Sequence, residues 1–200
     1  MVPIRRSAKS AADREATLCA TPATTDSGVL HRNSGGHVTT IATAPNAATL
    51  RQVWGHFATG VAVITAHNGA EPLGFTCQSV VSVSLDPPYL SFCPAKTSTS
   101  WPQLRKVGAI CVNILAHQQG DLCRQFAVSG ADKFADVEWG RADNGAPAIA
   151  GALAHIEAVV EFEHDAGDHT IVLARITDLS ADENGRPLLF YKGRFGEFAG

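Results

Sequence analysis

Three glycine-rich signatures are missing from this chain, and each absence removes a class of chemistry. No G-x-G-x-x-G opens a helix after a strand, so a Rossmann dinucleotide domain is not supported. No G-x-x-x-x-G-K-[ST] is present, which removes P-loop phosphoryl transfer, and no G-x-S-x-G elbow marks an α/β-hydrolase. A nucleotide, if bound, is held in another way. No apolar run approaches the roughly 20 residues needed to span a bilayer. With 16 Lys+Arg against 19 Asp+Glu the formal charge is -3, so no basic footprint for nucleic acid or an anionic membrane is visible. Cysteine is sparse: Cys19, Cys77, Cys93, Cys111 and Cys123 form no C-x-x-C pair, and their number is odd. Reduced thiols in a cytoplasmic protein are the simplest account. No apolar h-region follows Arg5 and Arg6, so no secretory signal is expected.

What is present fits a single globular domain. The 200 residues are 45% hydrophobic and 18% charged. Residues 1–45 are rich in Ala, Thr, Ser and Gly without a sustained apolar period, and are expected to be a disordered extension. The domain is expected over 46–200. Asn46 suits an N-cap, and Leu50, Val53, Trp54 and Phe57 recur at i, i+3, i+4, i+7, a helical stripe expected to pack on the domain. Val61 to Ala66 is β-branched enough for a strand, and Asn68-Gly69 signals a hairpin.

The stretch from Leu73 to Trp101 is the most informative. Phe75, Cys77, Val81, Val83 and Leu85 alternate with Thr76, Gln78, Ser82 and Ser84, the period-2 pattern of a half-buried strand. Asp86-Pro87-Pro88 ends it, because proline fixes its own backbone angle and extends the residue before it. A second strand is expected from Tyr89 to Cys93. Lys96-Thr97-Ser98-Thr99-Ser100 then places a cation beside four hydroxyls. Ser100 and Gln103 have the spacing of a capping box and Pro102 suits a first turn, so a helix is expected to start here. That spacing fits a phosphate site, but on spacing alone a loop that only caps a helix is favoured, since capping sequences are far commoner.

Beyond the helix, Gly108 suits a C-cap and Ala109 to Leu115 reads as a central strand interrupted only by Asn113. His117 to Val128 carries Leu122 and Phe126 on one face of a short helix. Ser129 to Gly151 holds five glycines or prolines and is expected to be loop, with turns near Lys133-Phe134 and Val137 to Trp139. Ala154 to Phe162 and Thr170 to Leu179 alternate as two strands about a turn at His164–His169, and Pro187 to Lys192 reads as the last strand. The expected fold is mainly β, an antiparallel barrel with a few peripheral helices. His164 and His169 match no usual zinc spacing and have no cysteine nearby, so no metal site is expected.

Thr76-Cys77-Gln78-Ser79-Val80-Val81-Ser82-Val83-Ser84-Leu85-Asp86-Pro87-Pro88 resembles the signature strand of the short-chain flavin reductases. These have the FMN-binding split-barrel fold and are the reductase components of two-component flavin-dependent monooxygenases. Further stretches agree in order: Phe57 to Thr65, Lys96 to Trp101, Cys111 to Leu115, Gly167-Asp168-His169 and Pro187 to Gly193. The resemblance covers about residues 46 to 198.

The resemblance implies that Thr76, Cys77, Gln78, Ser79 and Val80 line the flavin ring and ribityl chain. It implies that Cys93, Pro94 and Ala95 continue that wall, and that Lys96, Ser98, Thr99, Ser100 and Trp101 hold the phosphate. Asn113 and Phe126 are further cofactor-binding candidates, though a core polar residue and a helix-face aromatic explain them equally. His169 matches the histidine associated with the nicotinamide cofactor, Tyr191 lies on the strand expected nearby, and Asp132-Lys133-Phe134 resembles an element near the flavin.

The implied activity is reduction of FMN or FAD by NADH, with NADPH the other donor, and delivery of reduced flavin to a separate oxygenase acting on an aromatic or phenolic substrate. The implied assembly is a homodimer. No catalytic side chain is expected, since hydride passes between cofactors and the protein supplies position and desolvation. Two alternatives stand: a non-catalytic FMN-binding module, and a flavoenzyme like pyridoxamine-phosphate oxidase. The Gly167-Asp168-His169 turn and the Asp86-Pro87-Pro88 strand end favour the reductase over both.

Overall fold

A computed structural model describes residues 46–198; the extension expected over 1–45 lies outside the described residues. The elements run α1 (Ala47–Trp54), β1 (Thr59–Gly60), β2 (Ala62–His67), β3 (Pro72–Cys77), β4 (Val81–Leu85), β5 (Pro88–Phe92) and α2 (Trp101–Val107). They continue with β6 (Ala109–Ile114), a 3-10 turn (His117–Gln119), α3 (Gly120–Ala127), β7 (Trp139–Arg141) and β8 (Pro147–Ile149). The last four are β9 (Ala154–Ala166), β10 (His169–Ala181), β11 (Leu188–Tyr191) and β12 (Arg194–Glu197). Every strand pair is antiparallel.

The order of the seven-stranded sheet, β3-β2-β6-β9-β10-β5-β4, explains its shape. β3 and β4 are consecutive in the chain yet lie at opposite edges. Laid flat, six interstrand spacings would separate those edges by about 29 Å. Only residues 78–80 join them, and four extended steps reach about 14 Å. The sheet must therefore curl until its edges face each other, a barrel left open along one seam that Gln78, Ser79 and Val80 cross.

Because alternate side chains of a strand point to opposite faces, β2 and the residue before it serve two cores at once. Ala62, Ile64 and Ala66 face the barrel interior, where Phe75, Phe92, Trp101, Leu104 and Ile110 meet them. Val61 and Val63 face a second cluster with Leu115, Phe126, Ile149 and Leu188. The start of α2 plugs the barrel. Trp101 stacks edge-on to Phe92 with ring centres 5.2 Å apart and to Phe75 at 6.2 Å. Burying each such side chain contributes about 1.5–3 kcal/mol.

Several expectations are corrected. The single strand from Phe75 to Leu85 is two strands at opposite sheet edges, because the seam crossing interrupts it. Its apolar alternation is satisfied only in β3; Val81, Val83 and Leu85 on edge strand β4 are exposed. The α1 stripe of Leu50, Val53, Trp54 and Phe57 is exposed as well, so it packs on no core among the described residues, although Asn46 does cap the helix through Thr49 N–H. The capping box at Ser100 does not form. Ser98 Oγ accepts from Trp101 N–H instead, at 3.1 Å. The loop over 129–151 contains the β7–β8 hairpin, and a further strand, β12, pairs with β11 beyond the Lys192-Gly193 turn.

Candidate functional site

The open seam is the floor of a groove of about 1080 Å³. From the seam come Thr76, Cys77, Gln78 and Ser79, and from the stretch after β5 come Cys93, Pro94 and Ala95. Ser98, Thr99 and Ser100 form one bank with the neighbouring Thr97, while Phe126 and His169 close the sides. Sequence positions from 76 to 169 thus meet because barrel closure brings the end of β3 to the end of β5.

Local hydrogen bonds fix these walls. Ser79 Oγ accepts from Cys93 N–H at 2.8 Å and lies 3.2 Å from Cys77 Sγ, pinning the seam crossing to the strand opposite. Thr76 Oγ1 donates to Cys123 O at 2.7 Å, tying β3 to α3. With these polar atoms committed, Gln78 is the exposed seam residue whose amide has no protein partner among the described residues. Burial pushes the Cys77 thiol up, which argues against a thiolate nucleophile there.

His169 is held by its own turn. Gly167, at φ +65°, and Asp168 form a two-residue connection between β9 and β10 that an L side chain at 167 would strain. Lys96 N–H donates to Asp168 O and Thr170 N–H to Pro94 O, so the turn is stitched onto the 94–96 stretch. His169 Nδ1 lies 2.8 Å from Asp168 Oδ1, which leaves Nε2 as the free ring nitrogen. The His169 hydrogen bond and charge hold the Asp168 carboxyl below its usual range.

Five candidates lie elsewhere. Val80 lines an adjoining apolar cavity of about 710 Å³ on the other side of the seam. Lys96 does not line the groove, because its amine pairs with Asp165 at 2.6 Å. Trp101 is a core plug rather than a wall. Asn113 is fully buried and spent on structure: Nδ2 donates to Val63 O and Thr65 Oγ1, both at 3.0 Å, and Oδ1 accepts from Ile149 N–H at 2.7 Å. Tyr191 is exposed on β11 in the separate three-stranded sheet.

The cation that does line the groove is Lys133, absent from the expected site set. Its Nζ donates to Ser100 Oγ at 2.9 Å and to Gly74 O at 3.1 Å. No carboxylate lies within ion-pair distance among the described residues. Burial pushes its amine below the usual lysine range. Its loop is anchored by Gln125 Nε2, which donates to Lys133 O and Ala135 O, and by Phe134, stacked edge-on to Phe126 at 4.9 Å. The available signal was a lysine beside an aromatic that anchors an otherwise featureless loop.

An amine with no carboxylate partner among the described residues, facing a bank of hydroxyls, fits a phosphate. The fold is thus an antiparallel barrel whose open seam carries a groove suited in chemistry to an anionic ligand. The chain matches the flavin reductase like domain over residues 54–199, and it belongs to that family. It is 44% identical over 145 residues to the flavin-dependent monooxygenase reductase subunit HsaB of Rhodococcus jostii, covering 72% of this chain and 74% of the relative. The FMN reductase (NADH) SmoA of Agrobacterium fabrum is 38% identical over 154 residues, 77% of this chain and 87% of SmoA. The structure of the NADH:FAD oxidoreductase SgcE6 of Streptomyces globisporus superimposes with a TM-score of 0.75 at 36% identity, covering 82% of this chain and 99% of SgcE6. The mainly β barrel expected from the residues, and the split-barrel architecture and flavin reductase class that the resemblance implies, are thus borne out.

Proposed function

We propose that this flavin reductase binds the flavin ring over Thr76–Ser79 and its phosphate at Ser98, Thr99, Ser100 and Lys133, and accepts NADH from the His169 side. The observation that carries this is the Lys133 amine, which has no carboxylate partner among the described residues, in a hydroxyl-lined groove. A bound flavin supplies the hydride acceptor; nothing in the groove needs to act as acid, base or nucleophile. The chain's own contribution is positional. Cys93 and Pro94, half-buried and buried, limit water on one wall, and Ser79 keeps the seam from spreading. Asp168 orients the His169 ring so that Nε2 can donate or accept at the nicotinamide carboxamide. The role of Lys96 becomes indirect: its amine and backbone brace the 165–169 turn.

The reduced flavin leaves for a separate oxygenase, the role that the name of HsaB gives to that relative; an aromatic or phenolic substrate for that oxygenase rests on the resemblance alone. The chain works as a homodimer. Edge strand β4 exposes Val81, Val83 and Leu85, and α1 exposes Val53, Trp54 and Phe57; unpaired edges and apolar stripes of this kind are normally covered. Trp54 also lines the groove, so a second copy seated there would complete its rim. Among the described residues no helix is long and apolar enough to cross a membrane, and Cys77, Cys93, Cys111 and Cys123 are free thiols, which suits the reducing cytoplasm. Titrating the full chain with FMN and FAD while following flavin fluorescence tests the groove: saturable binding that weakens in Lys133→Met supports it, and no binding of either flavin refutes it. Light scattering tests the dimer, with a monomeric mass refuting it.

A further inference from the structure

A second cavity of about 740 Å³ adjoins the groove and shares Thr99, Ser100 and Lys133 with it. Lys133 is the one charged side chain lining both. Beyond it the walls change character. Pro72, Leu73 and Phe134 offer apolar surface, while Glu71 and Asp132 bring carboxylates. Asp132 Oδ1 accepts from Phe134 N–H, and the Glu71 carboxylate has no partner among the described residues.

The cavity thus carries one amine, on the lining it shares with the groove, and two carboxylates outside that shared lining. The carboxylates repel a phosphate and the shared amine attracts it. A matching ligand carries negative charge where it crosses Lys133 and then presents a neutral, flat body with hydrogen-bond donors. An adenosine linked through its 5′-phosphate has that form: the base meets the apolar wall, and the ribose hydroxyls and exocyclic amine find acceptors.

We propose that the second cavity receives the adenosine half of FAD, with the pyrophosphate at Lys133, so that this chain selects FAD over FMN. The proposal rests on the flavin reading of the groove. Nicotinamide dinucleotides carry the same adenosine 5′-phosphate, but the cavity opens at the residues that end the flavin's phosphate site, and His169 does not line it. The names of the relatives do not choose, since SmoA is named for FMN and SgcE6 for FAD.

The test is equilibrium binding of FMN, FAD and NAD⁺ to the full chain, without turnover, in wild type and Ala131→Trp. Ala131 is exposed and lines the second cavity, so an indole there fills space without entering a core. Wild type is expected to bind FAD about tenfold more tightly than FMN. In the variant that preference falls to near parity, while an unchanged FMN affinity shows that the fold is intact. Equal affinities in wild type, or a preference that survives the indole, overturn the proposal. So does a loss confined to NAD⁺, which would assign the cavity to the nicotinamide nucleotide. Failure of wild type to bind either flavin refutes the groove reading itself, whereas FMN binding without an FAD advantage refutes only the second cavity.

Discussion

Asn113→Ala separates a buried strut from a ligand contact, two readings that the sequence leaves level. The side chain is fully buried on β6, and its amide joins β2 through Val63 O and Thr65 Oγ1 and the β7–β8 hairpin through Ile149 N–H. Truncation orphans the Ile149 N–H in the second core, at a cost of about 1–3 kcal/mol. Loss of the remaining bonds and the small void left behind bring the expected total to about 3 kcal/mol. For a domain of this size each kcal/mol lowers Tm by about 2–4 °C, so a fall of about 6–12 °C is expected. Thermal and urea denaturation read it, and a cycle with Thr65→Val should show a coupling of about 0.5–3 kcal/mol, since the two side chains bond directly. At a temperature where the variant remains folded, its flavin affinity should match wild type. A variant that keeps its Tm within about 2 °C and loses flavin would refute the assignment of Asn113 to structure.

Gly74→Ala should destabilise by about 1–3 kcal/mol in urea denaturation, because an added Cβ would sit 2.7 Å from the buried Phe126 ring. Flavin affinity should be highest while Lys133 is protonated and fall as pH rises through its lowered pKa; a binding titration against pH should show the decline beginning at lower pH than for an ordinary lysine, and Lys133→Arg should move it upward. Lys133→Met should weaken flavin about 10- to 100-fold at neutral pH, the range of one lost charge-assisted hydrogen bond. His169→Ala should raise the KM for NADH more than that for flavin in steady-state assays, and Asp168→Asn should do the same to a smaller degree by releasing Nδ1.

The sequence made the barrel legible wherever one strand face is buried and turns are tight. Asn68-Gly69 and the alternation over Ala154 to Phe162 carried β2–β3 and most of β9–β10 into place, while the turn expected over His164–His169 is only Gly167-Asp168, with β9 running on to Ala166. It misled at β4 and α1, whose core-like apolar patterns are exposed. It failed at the seam: the period-2 alternation breaks at Ser79-Val80 but resumes in the same phase at Val81, and only strand order reveals that the chain changes edges there. The hydroxyl bank of Ser98 to Ser100 was visible from composition; its cation was not, although the resemblance sets Asp132-Lys133-Phe134 near the flavin. Lys96 is adjacent in sequence, while Lys133 arrives through a loop whose anchors, Gln125 and Phe134, are tertiary contacts.

The most direct measurement mixes the purified chain with NADH and free FMN or FAD and follows the loss of NADH absorbance, with no other protein present. NADH consumption that depends on added flavin, saturates in it and falls steeply in Lys133→Met is the expected result. Flavin-independent NADH loss, or none with either flavin and either nicotinamide donor, would contradict the account.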